Sequence, residues 1–141
     1  MKIRLAECFL LLTVFLMLTV PVPARSSSHP PKQADASDPG YVLALAAANH
    51  FLHAWQMGDL ENGTVLLSDH IRHTQNPDQL EQFFSTGDDR AFEITRGHGY
   101  QGRYSFPVVL VTSRGSHVTR KFSEIILVET GKNDWVVDKL P

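Results

Sequence analysis

The spacing of apolar residues changes once along this chain, from a helical period of about 3.6 to a strand period of 2, and the change falls near residue 90. Before it, Ala44, Ala48, Phe51, Leu52 and Trp55 gather on one helical face while Asn49, His53 and Gln56 fall opposite. Phe51 and Trp55 stand one turn apart and are expected to stack. Asp38 supplies an N-cap with Pro39 at the first helical position, and Gly58 supplies a left-handed stop, so a helix is predicted over 39–57. Asp59 caps a second predicted helix from Leu60 to about Ser68, whose leucines and Val65 can dock on the first. Residues 68–74 read as a brief strand, and Asn76-Pro77 opens a third helix that Gly87 ends near Thr86.

After Arg90 the alternation takes over. Phe92, Ile94, Arg96, His98 and Tyr100 share one side of a half-buried strand whose buried side turns polar toward its end. Glycines at 97, 99 and 102 mark a bend or bulge there. Strands are expected over 104–112 and 118–130, separated by a turn around Gly115, and over 135–139 after a tight turn at 131–134. Strands joined by such short turns run antiparallel. The economical burial of these faces is an α+β fold: a curved antiparallel sheet, a meander of four strands, packed against an N-terminal helical layer.

Residues 1–24 carry an export pattern instead of a fold pattern. Lys2 and Arg4 precede an apolar run from Cys8 to Val20, Pro21 and Pro23 break it, and Val22 with Ala24 set the small residues of a signal-peptidase site. Cleavage is expected after Ala24, giving a secreted or periplasmic protein with no membrane attachment; a retained leader acting as a tether is the alternative, since the run falls short of the roughly 20 residues that span a bilayer. Residues 25–40, rich in Ser, Pro and Asp, read as a flexible spacer. The remaining 41–141 make one domain. Loss of Lys2, Arg4 and Glu7 with the leader leaves 11 basic and 14 acidic residues, a net charge of −3. That balance excludes a nucleic-acid partner, which needs a clustered basic face. The single cysteine, Cys8, departs with the leader, which excludes disulfides and thiol chemistry.

Candidate chemistry is sparse. Glu124 interrupts the apolar side that Phe122, Ile126 and Val128 form, so its carboxylate either enters a pocket or lies on a solvated outer face. His98 and Tyr100 stand beside the glycines, where backbone can approach a ligand; with Glu124 they would suffice for general acid and base work. A mobile surface hairpin accounts for the same pair. His50 and His53 are three apart on a helix, whereas His70 and His73, three apart on extended chain, would point to opposite faces. No zinc-ligand run, nucleophile elbow or phosphate loop occurs, so no metal and no cofactor are expected. Asn62-Gly63-Thr64 matches a glycosylation acceptor.

Several of these residues are placed as in a known group. Phe51-x-x-Ala54-Trp55-x-x-Gly58-Asp59-Leu60, then Leu66-Leu67-Ser68-Asp69 followed by His73, then Pro77-x-x-Leu80-x-x-Phe83-Phe84 and a closing Trp135-Val136-Val137-Asp138 resemble the nuclear-transport-factor-like superfamily. That superfamily of curved α+β cones includes SnoaL-type polyketide cyclases and ketosteroid isomerases, and the resemblance covers about residues 41–140. It implies a pocket between the first helix and the concave face of the sheet, with Phe51, Trp55, His73, His98, Tyr100 and Glu124 as candidate ligand-binding residues. His73 falls where SnoaL-like members carry a pocket histidine. The isomerases' base aspartate is missing from His73-Thr74-Gln75-Asn76, and no tyrosine lies in the middle of the first helix. The resemblance therefore points to a domain that binds a small apolar molecule or a partner protein without catalysis, as a homodimer through its sheet. The alternative is a SnoaL-like isomerase, cyclase or hydratase using His73 or His98 with Glu124.

Overall fold

The computed structural model describes residues 37–85, 88–131 and 134–141. The expected leader and all but the last four residues of the expected spacer lie outside them, as do Thr86 and Gly87. Four helices come first: α1 (Pro39–Met57), α2 (Leu60–Val65), α3 (Asp69–Thr74) and α4 (Pro77–Phe84). Five strands follow: β1 (Asp89–Ile94), β2 (His98–Tyr100), β3 (Arg103–Arg114), β4 (His117–Glu129) and β5 (Trp135–Lys139). The curved antiparallel sheet runs β1-β3-β4-β5, with β2 continuing beside β3. This is the α+β architecture that the change of period predicts.

α1 has the expected bounds because both ends are closed chemically. Asp38 accepts the Gly40 N–H at 3.0 Å, Pro39 sits in the first turn, and Gly58 adopts a left-handed φ of 70° while the Asp59 N–H reaches the Ala54 carbonyl at 2.8 Å. Its apolar face, Ala44, Ala48, Phe51, Leu52 and Trp55, is wholly buried. Phe51 and Trp55 do not meet as a stacked pair: Phe83 of α4 lies 6.2 Å from each ring and joins them.

The brief strand expected at 68–74 is a helix instead. Ser68 caps it, its hydroxyl accepting the Ile71 N–H at 3.2 Å, and Arg72 donates to the Leu67 carbonyl at 2.8 Å. The second helix accordingly stops at Val65, and Leu67 makes a single bridge to Val137.

The core lies between α1 and one face of the sheet. Tyr104, Phe106, Val108 and Leu110 of β3, Ile125 and Leu127 of β4, and Trp135 and Val137 of β5 are buried there. Tyr41 packs against Tyr104 and Phe106 with ring centres 5.7 and 5.4 Å away, and Trp135 lies 5.4 Å from Tyr104. Over most of its length the space where the resemblance implies a pocket is filled by these side chains.

Candidate functional site

A break between β1 and β2 decides where the candidate residues go. Ile94 pairs with Val108 and His98 with Ser105, so three residues of one strand oppose only Phe106 and Pro107 of the other. That extra residue is a bulge, and with a side-chain period of 2 it moves everything beyond it to the other face. Phe92 and Ile94 pack on the core, whereas His98 joins Ser105 on the outer face. The expectation that His98 and Tyr100 share a side with Phe92 and Ile94 is corrected by this shift. Gly97 permits it: a Cβ there would stand 2.5 Å from the Phe106 ring and 2.6 Å from the Ser105 carbonyl oxygen.

Glu124 is on the outer face too, because Ile125 and Leu127 take the buried side of β4. His98, Tyr100 and Glu124 therefore meet, with Arg103, Ser105 and Ile126, around an open hollow of about 450 Å³ on the side of the sheet away from α1. The His98 Nε2 atom lies 4.0 Å from Glu124 Oε1, and the two side chains are 37% and 34% exposed. The Ser105 hydroxyl donates to Glu124 Oε1, and the Lys139 ammonium donates to Oε2 at 3.1 Å. The Ser105 bond first, and Lys139 after it, hold the Glu124 carboxyl below its ordinary range against the opposing effect of burial.

A second, smaller hollow of about 260 Å³ opens on the helix side of the sheet, near the β3–β4 turn. Trp55 and Phe83 bound it from the helices and Leu110 from the sheet; Arg90, Thr112, Thr119 and Lys121 supply its polar wall. Strand pairing builds that wall, since Arg90 pairs with Thr112, Thr112 with Thr119, and Leu110 with Lys121. The Arg90 guanidinium lies over the Trp55 ring, 4.9 Å from its centre. Arg90 donates to the Trp55 carbonyl at 2.8 Å, to Phe84 at 3.3 Å and to Ser85, tying the ends of α1 and α4 to β1. Burial lowers its pKa, and its Nε is buried without a hydrogen-bond partner. Lys121 donates to the Pro141 oxygen at 3.2 Å.

Of the six candidates, then, three meet in the outer hollow and Trp55 lines the helix-side one. Phe51 is fully buried, 5.6 Å from the Phe84 ring. His73 lines neither hollow: it sits exposed on α3 with its Nδ1–H donated to the Asp69 carbonyl at 2.6 Å. His70 and His73 share a helix, not extended chain, and no group of three or more potential metal ligands occurs among the described residues. Arg90, Thr112, Thr119 and Lys121 were not singled out by the sequence. Their signal was there: Arg90 keeps the register of Phe92 and Ile94, and Lys121 that of Ile125 and Leu127, so each is a cation on a buried-side position.

Neither a family model nor a curated protein sequence matches the chain. Among solved structures it is similar to a ketosteroid isomerase-like protein from Erwinia carotovora atroseptica, with a TM-score of 0.52 and 16% identity over 71% of this chain and 92% of that one. The two share the fold, helices over a curved antiparallel sheet. Among the described residues no helix is long and apolar enough to cross a membrane.

Proposed function

We propose, starting from the cone-type α+β fold that the chain shares with that ketosteroid isomerase-like protein, that it is an exported domain which binds a small apolar molecule without transforming it. One observation carries this reading: beside the end of α1 a hollow opens over the sheet whose walls are Trp55, Phe83 and Leu110 and whose described lining contains no carboxylate and no histidine, unlike the opening at the start of α1, which Asp38 and Glu129 line. Apolar walls with a few convergent polar groups are the usual make-up of a ligand site. Acid and base catalysis would need a proton acceptor within reach of the bound molecule. Thermal shift with a panel of small hydrophobic molecules tests the reading. At least one should raise the melting temperature in proportion to the logarithm of its concentration; indifference to all of them would count against it.

A second reading follows from His98, Tyr100 and Glu124 sharing the outer hollow, which would suit an isomerase, cyclase or hydratase. The state of Glu124 speaks against it. A carboxylate held ionised by Ser105 and Lys139 is a weak base at neutral pH.

The outer face also supports the proposal of a homodimer. Phe122, 78% exposed, and Val118 project from it, with Val109 directly opposite Phe122 on β3. Export rests on residues 1–24 alone.

A further inference from the structure

We infer that the outer hollow is filled by a second copy of this chain: Phe122 of each copy seats in the hollow of the other, against Ile126, so that neither hollow is complete alone. This deepens the homodimer reading above and rests on it.

The strand register carries the argument. On the outer face Phe122 shares a row with Val109 and Glu93, and Ile126 shares a row with Ser105 and His98. The row of Pro107 and Glu124 lies midway between these two. A half-turn about an axis along that middle row lays one sheet on the other with their strands aligned, a usual arrangement for packed sheets and for paired copies. It exchanges the two flanking rows residue for residue: Phe122 comes over Ile126, Val109 over Ser105 and Glu93 over His98. Packed sheets stand about 10 Å apart, which leaves no room for a ring that is 78% exposed unless the facing sheet is recessed there. It is recessed there, by the open hollow of about 450 Å³ that Ile126, Ser105 and His98 line. The polar groups match under the same half-turn. The His98 imidazole, 4.0 Å from Glu124 through Nε2, has a second ring nitrogen to offer the partner's Glu93 carboxylate. Glu124 falls on the axis, opposite its own copy, where two bare carboxylates would repel. Each brings its counter-charge with it, the Lys139 ammonium at 3.1 Å.

The test mixes isotope-labelled and unlabelled full-length chains, at a concentration where sedimentation gives a dimer, and records isotope-filtered NOE spectra. Cross peaks between the Phe122 ring of one copy and the Ile126 methyl groups of the other are the expected result. Within one chain these residues stand four apart on a strand, about 13 Å, too far to produce them. Phe122→Ala, and Ile126→Trp, which fills the hollow, should each weaken the dimer roughly tenfold or more, in variants whose melting temperatures show them folded. Val118→Ala removes an exposed apolar side chain from the same face but outside both rows, and should leave the dissociation constant within about twofold. A dimer without those cross peaks, or one that Val118→Ala weakens as much as Phe122→Ala does, overturns the seating while the homodimer reading stands. A chain that sediments as a monomer at high micromolar concentration removes both.

Discussion

At the scale of single residues, the buried polar groups give the sharpest handles. The Tyr104 hydroxyl donates to the half-buried Asp38 carboxylate, and burial, before that bond, raises its pKa to about 12. An unfolded tyrosine titrates near 10. The folded pKa is the higher one, so the stability from Tyr104 is complete below pH about 10 and is lost as pH rises through about 12. Melting temperature followed from pH 9 to 12 should fall steeply, and Tyr104→Phe should flatten the slope while lowering stability at neutral pH, where the Asp38 bond is lost. An unchanged slope in the variant would show that the alkaline transition belongs to other groups. Arg90 illustrates what single residues hide from sequence: nothing in its flanks announces that its guanidinium stacks on Trp55 and holds two helix ends.

At the scale of elements, α1 was legible to the residue because Asp38, Pro39 and Gly58 encode both ends. α3 was not, though its signals were present: Ser68 is a good N-cap, Asp69 suits the first turn, and Arg72 and His73 suit the last. Six residues are too few for a 3.6-residue period to declare itself, so the polar run resembles extended chain. The β1–β2 bulge was legible as a place, from its glycines, and not as a consequence. Only the pairing of Ile94 with Val108 and of His98 with Ser105 reveals that the faces exchange. Gly97→Ala tests that role. Its Cβ would collide with the Phe106 ring and the Ser105 carbonyl, so urea denaturation should show a loss of roughly 1–3 kcal/mol, the usual range for overpacking. The His98 resonances should also move, since its contact with Glu124 depends on the bulge. A variant as stable as the parent would mean that the strand absorbs the methyl group by sliding.

At the scale of the whole molecule, the fold and its helical layer follow from the period change at residue 90, whereas the site does not. The sequence offers His98, Tyr100 and Glu124 as candidates without showing that they are close or which face they share, and the sheet brings them together opposite the helices. The hollow at the end of α1 is lined by Trp55 and residues of four other elements, α4, β1, β3 and β4. The outer face is then where the proposed homodimer would form. Sedimentation of the full chain should give a dimer, and Phe122→Lys should shift it to monomer without lowering the melting temperature of the domain. A parent that sediments as a monomer at high micromolar concentration would remove the dimer from the account. The central claim concerns location: a small apolar ligand enters on the helix side of the sheet and not at the outer cluster. The most direct measurement is an NMR map of the full-length chain with a saturating small hydrophobic molecule that raises its melting temperature. Shifts concentrated on the Trp55 indole, Phe83, Leu110, Thr112 and Lys121 are the expected result, and shifts concentrated on His98, Tyr100 and Ser105 instead would contradict it.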